Sequence, residues 1–97
     1  MYVVVTYDVN TESKAGRRRL RRVAKICEDF GQRVQFSVFE CDLDEMRMDA
    51  MLALLKEEIH PQLDSLRVYR LHGARNGAVH TLGRDDYRDF AADTLIV

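Results

Sequence analysis

The stretch YVVVTYDV, residues 2–9, decides the fold of this chain and also poses its main question. It is rich in β-branched and aromatic residues, which favour strands. Alternation along a strand places Val3, Val5 and Tyr7 on one face and Tyr2, Val4, Thr6 and Asp8 on the other. Both faces are mostly apolar, which predicts a central strand covered on both sides. Such a strand nevertheless ends on the carboxylate of Asp8.

Helix and strand patterns alternate along the rest of the chain. Apolar residues recur at helical spacing in two segments, with Gly31 and Pro61 marking where these helices end and Asp44 suited to cap the second. Residues 32–43 predict either one strand or two short strands with a break near residues 36–37. The other predicted elements are a strand over Tyr2–Tyr7, helices over about Lys14–Phe30 and Glu45–Ile59, a strand over Ser65–Leu71, a turn over Gly73–Gly77 and a short strand over residues 78–83.

This order of elements is typical of a ferredoxin-like α+β sandwich, in which two helices cover one face of an antiparallel sheet. A chain of 97 residues predicts a single domain over residues 1–97, with a short C-terminal strand added. The second sheet face would also be apolar around Val4. The last four residues, TLIV, are apolar, whereas a free chain end is usually polar. Both features predict a homodimer in which a second subunit covers this face.

The composition excludes several classes of protein. Hydrophobic residues make up 46% of the chain and the net charge is −1, so a disordered chain is excluded. Cys27 and Cys41 lack CxxC spacing and are expected to be buried, reduced thiols. No apolar run approaches the ~20 residues of a membrane span, and no signal peptide is visible. A cytoplasmic protein without membrane contact is therefore expected.

Asp8 is the first candidate for chemistry. A carboxylate at a strand end is a hard oxygen ligand, suited to Mg²⁺ or Mn²⁺. Mg²⁺ commonly takes one or two protein carboxylates, so two copies of Asp8 across a symmetric dimer would make a better site than one copy. The alternative is that Asp8 caps the following loop by bonding to its own backbone.

A cluster of basic residues on the first helix is the second candidate. Helical geometry places Arg18, Arg21, Arg22 and Lys25 on the face opposite the apolar stripe. Arg17 lies beside the apolar stripe. We call Arg17, Arg18, Arg21, Arg22 and Lys25 the basic stripe. Like charges at this spacing repel, whereas guanidinium groups match phosphate oxygens. The basic stripe therefore indicates either nucleic-acid binding or a merely solvated face.

The remaining polar residues give no signature of a site. The histidines His60, His72 and His80 lie on separate predicted elements without ligand spacing, so we expect none to be a metal ligand or a general base. No Ser-His-Asp set is recognisable. The methionines of the second helix are expected to be core or interface residues.

Four motifs occur together and in order: YDV, RRRLRRVAK, RVQFSVFE and SLRVYRL. This combination resembles the Cas-two family of CRISPR systems, the small companions of the spacer integrase in the adaptation step. RVQFSVFE is the most specific of the four, and the resemblance covers essentially the whole chain. It implies a ferredoxin-like homodimer that acts in spacer acquisition for antiviral defence, with the spacer integrase as a partner.

The resemblance also implies an activity and its residues. The family is one of metal-dependent endonucleases acting on RNA or double-stranded DNA, depending on the member. Asp8 would bind Mg²⁺, with Mn²⁺ as a possible substitute, at the subunit interface. Tyr7, Arg33 and Phe39 would also contribute to activity, as would one basic residue of the first helix, with Arg17, Arg18 and Arg22 as the candidates.

Three functions of different classes remain open at this point. The first is a Mg²⁺-dependent endonuclease centred on Asp8. The second is a non-catalytic DNA-binding scaffold dimer within the spacer-integration complex, for which the basic stripe suffices and Asp8 is dispensable. The third is a ferredoxin-like regulatory module for a small ligand, which would need a ligand pocket rather than a basic stripe.

Overall fold

A computed structural model describes residues 1–88 and shows a four-stranded antiparallel sheet with two long helices. The elements in chain order are β1 (Tyr2–Asp8), α1 (Lys14–Phe30), β2 (Gln32–Gln35), β3 (Val38–Asp42), α2 (Glu45–Glu58), β4 (Ser65–Leu71) and a single helical turn, α3 (Arg75–Ala78). The strand order is β2-β3-β1-β4, so β1 is central. The predicted ferredoxin-like α+β fold is confirmed. The TLIV segment lies outside the described residues, and the assignment of all 97 residues to one domain stays a prediction.

The main core lies between the sheet and the two long helices. One face of β1 contributes Val3, Val5 and Tyr7, as the alternation predicts. Other buried members are Val9, Val23, Cys27, Phe39, Cys41, Leu43, Met48, Met51 and Leu55. Both cysteines are free, and burial raises the pKa of the Cys27 thiol to about 12 and that of Cys41 to about 11. Neither is a thiolate at neutral pH, so neither is a nucleophile there.

The helix ends follow from local capping. Ser13 accepts a hydrogen bond from the backbone N–H of Gly16, and Asp44 accepts one from that of Arg47, which confirms Asp44 as the cap of α2. At the other end of α1, Gly31 lies against β3. A Cβ there would collide with the Sγ atom of Cys41 and the Glu40 carbonyl, so only glycine fits this close approach.

Residues 32–43 form two strands rather than one. β2 and β3 are joined by a tight turn at Phe36 and Ser37, the position where a break was one of the two predicted alternatives. Arg33 pairs with Phe39, and the register shifts between Arg33 and Gln35. The backbone N–H of Tyr7 donates to the Ser37 carbonyl, at 3.2 Å, so the turn lies at the Asp8 end of β1.

The strand predicted over residues 78–83 is wrong, and the predicted turn over Gly73–Gly77 overlaps the helical turn α3. A β-strand needs a neighbouring strand for its backbone groups, and residues 79–83 pair with no strand among residues 1–88. They instead pass over the sheet face opposite the helices, where they share a cleft with Val4 and Val38. Of its apolar residues, Val79 is half-buried and Leu82 is 99% exposed, so the apolar pattern of this segment does not mark a strand.

Part of the sheet face opposite the helices, hereafter the open face, is covered by side chains from Arg75 and Tyr87, on either side of that segment. The Tyr2 hydroxyl donates to the Glu40 carboxylate at 2.5 Å, and Arg75 pairs with Glu40 at 2.8 Å. The Arg75 guanidinium also lies 3.9 Å from the centre of the Tyr87 ring. The cover protects the Tyr2 end of β1 and leaves the Asp8 end exposed. Within residues 1–88, no helix is long and apolar enough to cross a membrane.

Candidate metal and nucleic-acid site

Asp8 is the last residue of β1 and is exposed on the open face. It lies opposite Ser65 in the antiparallel pairing of β1 with β4. A shallow cleft of about 340 Å³ surrounds it, lined by Thr6, Tyr7, Asp8, Ser65, Arg67 and Tyr69. The sequence correctly places a bare carboxylate at a strand end, and the structure adds a cleft around it.

The residues that β4 adds to this cleft were not predicted. Ser65, Arg67 and Tyr69 alternate with the half-buried Leu66 and Val68, so a period of two separates a polar face from an apolar one. That alternation is the signal that points to them. Arg67 donates from Nη1 to the Tyr69 hydroxyl at 3.0 Å. A guanidinium therefore lies in the same cleft as the Asp8 carboxylate.

The contacts of Asp8 favour a ligand role over a capping role. Within residues 1–88 its carboxylate takes part in no hydrogen bond or ion pair, whereas Asn10 supplies the side-chain cap of the loop by accepting from the Glu12 backbone N–H at 3.0 Å. No group of three His, Cys, Asp or Glu side chains in this part of the chain could hold a metal ion. One carboxylate fits Mg²⁺ when waters and substrate oxygens, or a second copy of Asp8, complete the coordination.

Tyr7, Arg33 and Phe39 are brought together, but away from the Asp8 carboxylate. Tyr7 and Phe39 are buried among the core residues under the helices, with ring centres 6.2 Å apart, and the Arg33 guanidinium lies 5.1 Å from the Phe39 ring centre. Burial raises the pKa of the Tyr7 hydroxyl, and the nearby Arg33 opposes part of that shift. Tyr7 is therefore a neutral phenol at physiological pH, on the sheet face opposite Asp8.

A buried carboxylate, Asp64, fixes the loop that follows Asp8. Its side chain is fully buried and accepts hydrogen bonds from the backbone N–H groups of Asn10, at 3.0 Å, and His60, at 2.8 Å. It also accepts two from Arg19, at 2.8 and 3.2 Å. The Arg19 guanidinium and these backbone donors hold the pKa of Asp64 at about 2, against a usual 3.8. A Cβ on Gly16 would collide with the Asn10 carbonyl, so α1 packs tightly against the same loop.

The basic stripe is more heterogeneous than its sequence indicates. Arg22 lies 3.5 Å from Glu58, Lys25 pairs with Asp29 at 2.8 Å, and Arg17 donates to the Thr11 carbonyl at 3.2 Å. Arg18 and Arg21 are exposed and form no ion pair with the described residues. These two arginines are the cations of the stripe with the most freedom to contact phosphate.

Reversing both charges, as Arg18→Glu with Arg21→Glu, is expected to weaken binding to duplex DNA and to RNA about equally for all sequences. Each lost phosphate contact should also flatten the slope of log affinity against log salt by about 1, because fewer counterions are released. Fluorescence anisotropy over a range of salt concentrations in chelator measures both effects. The matched control is Lys56→Glu with Arg70→Glu, which gives the same change in net charge on α2 and β4. A slope unchanged from wild type would show that the stripe is only solvated.

Most of this chain matches a known protein family. A family profile described as CRISPR associated protein Cas2 matches residues 1–79. The chain belongs to the Cas2 family. A CRISPR-associated endoribonuclease Cas2 of Chlorobaculum tepidum is 53% identical over 97 residues, covering all of both chains. A CRISPR-associated endonuclease Cas2 of Halalkalibacterium halodurans is 46% identical over 83 residues, 86% of each chain.

The fold of the Cas2 family is shared as well. The crystal structure of Streptococcus pyogenes Cas2 matches with a TM-score of 0.76 and 51% identity, covering 86% of this chain and all of the other. The resemblance drawn from the four sequence motifs is therefore confirmed. The roles of Asp8, Tyr7, Arg33, Phe39 and the basic stripe stay predictions.

Proposed function

We propose that this Cas2-family protein is a Mg²⁺- or Mn²⁺-dependent endonuclease that acts on RNA or duplex DNA in CRISPR spacer acquisition. The observation that carries the proposal is Asp8, an exposed carboxylate without a partner among residues 1–88, in a cleft that also contains Arg67. The names of the curated relatives, endoribonuclease and endonuclease, support hydrolysis over a purely structural role. The non-catalytic scaffold is the less favoured hypothesis.

Asp8 is the residue that would hold the ion. When bound, the divalent ion supplies a water of lowered pKa and offsets negative charge on the scissile phosphate. Arg67, which also donates to the Tyr69 hydroxyl, would pair with a phosphate oxygen of the bound strand. The described residues lining the cleft include no histidine or lysine, and Tyr7 faces the core, so no general base is evident among residues 1–88 at this cleft. A slow enzyme is therefore expected.

The proposed active form is a homodimer, with the spacer integrase as its further partner. A single Asp8 supplies only one carboxylate ligand for the ion. A two-fold axis beside the end of β1 would supply a second carboxylate from the other subunit. The open face at this end of the sheet is uncovered by the described residues, which leaves room for a second subunit. The basic stripe on α1 would then be present twice, once on each subunit.

The proposal is tested by cleavage of labelled single-stranded RNA and duplex DNA by purified protein in Mg²⁺, Mn²⁺ or chelator. We expect slow cleavage of at least one substrate that depends on the ion and returns when the ion is restored after chelation. Light scattering on the same samples should give the mass of a dimer. Cleavage that persists in chelator, or its complete absence in both ions, would contradict the proposal.

A further inference from the structure

Phe36 is a conspicuous side chain that the proposed metal site does not use. It occupies the tight turn between β2 and β3 and is 79% exposed. Water makes an exposed phenyl ring unfavourable, and the same turn conformation accepts polar residues. Apart from the Arg33 guanidinium, residues 1–88 leave most of this ring exposed, so one face of it is free to bind a ligand.

The surroundings of Phe36 indicate what that partner is. The Arg33 guanidinium lies 5.9 Å from the centre of the Phe36 ring. The flanking Gln35 is exposed and Ser37 is half-buried, so the ring stands alone among polar groups instead of within an apolar patch. Protein interfaces bury contiguous apolar area, whereas a nucleobase needs one flat aromatic face and benefits from a nearby guanidinium.

The position of the turn connects Phe36 with the proposed cleavage site. The Ser37 carbonyl accepts the Tyr7 backbone N–H at 3.2 Å, and Tyr7 immediately precedes Asp8. Both the turn and the Asp8 cleft therefore lie at one end of the sheet, close enough for one strand of nucleic acid to touch both. The other exposed aromatic side chain among residues 1–88 is Tyr69, which lines the Asp8 cleft itself.

We propose that Phe36 stacks on an unpaired base of the substrate, adjacent to the nucleotide held at Asp8, and thereby favours single-stranded over fully paired substrate. This inference rests on the proposed function for its ligand, a polynucleotide. It assigns a binding and specificity role to the turn, distinct from the chemistry at Asp8. The bases of a continuous duplex are already stacked, so Phe36 would contribute little to duplex binding.

The test measures binding in chelator, so that it does not depend on cleavage. Short RNA strands carrying 2-aminopurine at one position each are titrated with wild type, Phe36→Ala, Phe36→Leu and Phe36→Trp. Stacking on an aromatic ring quenches 2-aminopurine, so quenching is expected at one position or two neighbouring positions. Loss of the stacked ring in the Ala variant should weaken single-strand binding by between about 5-fold and about 150-fold. The Trp variant keeps an aromatic ring at this position and should retain both the affinity and the quenching of wild type.

Two controls separate stacking from simple hydrophobicity. The Leu variant keeps an apolar side chain without a π-face and should behave like Ala. Met46→Ala removes a side chain that is 81% exposed at the start of α2 and should bind like wild type. Wild-type quenching in the Leu variant, or conversion of the protein to monomers in the Ala variant, would overturn the proposal, the latter because Phe36 would then be a subunit contact.

The outcomes for Phe36 and for the nuclease are separable. A protein that never cleaves, yet shows quenching that depends on Phe36, would contradict the proposed nuclease and support the stacking role. A protein that cleaves normally, with the Leu variant equal to wild type in binding and cleavage, would overturn the stacking role and leave the nuclease intact.

Discussion

Replacing Asp8 with Asn is expected to lower metal-dependent cleavage at least about 100-fold, because several kcal/mol of charge stabilisation at the phosphate depends on the bound ion. Asn keeps the size of the side chain and one oxygen but loses the negative charge that attracts a divalent cation. The fold should survive, since Asp8 is exposed and takes part in no ion pair or side-chain hydrogen bond with residues 1–88.

Thermal unfolding gives a second measurement that is independent of cleavage. In a dimer that brings two copies of Asp8 together, the carboxylates repel each other when no metal is bound. The Asn variant should therefore unfold at the same or a higher temperature than wild type in chelator. Added Mg²⁺ should stabilise wild type and leave the variant unchanged, because an ion stabilises only the state that binds it.

The matched control for Asp8 is Asp49→Asn, which removes one exposed carboxylate from α2 without touching the cleft. It should retain wild-type cleavage and the wild-type response to Mg²⁺. Equal cleavage by wild type and the Asp8→Asn variant would point to another site or to a contaminating nuclease. Absence of cleavage in both, with binding to DNA retained in chelator, would favour the scaffold hypothesis.

The fold was largely accessible from sequence because its main signals are local. The alternation within β1 and the helical spacing in α1 and α2 each need only a few consecutive residues to be recognised. The break at Phe36 and Ser37 was harder to predict from sequence, since the apolar pattern there fits both a continuous strand and a tight turn. The segment 78–83 was mistaken for a strand because propensity does not reveal whether a neighbouring strand is available.

A site residue could be predicted from sequence where its polarity differs from that of its neighbours along the chain. Asp8 is such a residue, a carboxylate that ends an otherwise apolar strand. Arg67 and Tyr69 were missed because their proximity to Asp8 depends on the pairing of β1 with β4, which are far apart in sequence. Arg19 belongs to the same basic run as the stripe, yet its partner, Asp64, comes 45 residues later. Long-range contacts of this kind decide which charged residues are structural and which remain free to bind.

Breaking the buried pair of Arg19 and Asp64 is expected to have the largest effect on stability. Arg19→Met keeps much of the side-chain volume but leaves the fully buried carboxylate of Asp64 without its cation. Loss of one member of such a pair costs about 3 to 5 kcal/mol, and the midpoint of thermal unfolding should fall by about 15 to 25 °C. The control is Asp29→Ala, which breaks the exposed pair with Lys25 and should cost less than about 1 kcal/mol.

The pH dependence of unfolding identifies Asp64 as the responsible group. Its folded-state pKa of about 2 lies below the usual 3.8, so its charged form stabilises the fold above about pH 4 and loses this effect as the pH falls through 2. Asn at this position does not titrate. The difference in free energy of unfolding between wild type and Asp64→Asn should therefore be constant from about pH 5 to 7. Below pH 4 wild type should lose about 2 kcal/mol relative to the variant, which is the stability that it owes to this pKa difference. Urea unfolding at a series of pH values measures this difference, and a pH-independent difference down to pH 2 would show that Arg19 does not stabilise the Asp64 carboxylate by its charge.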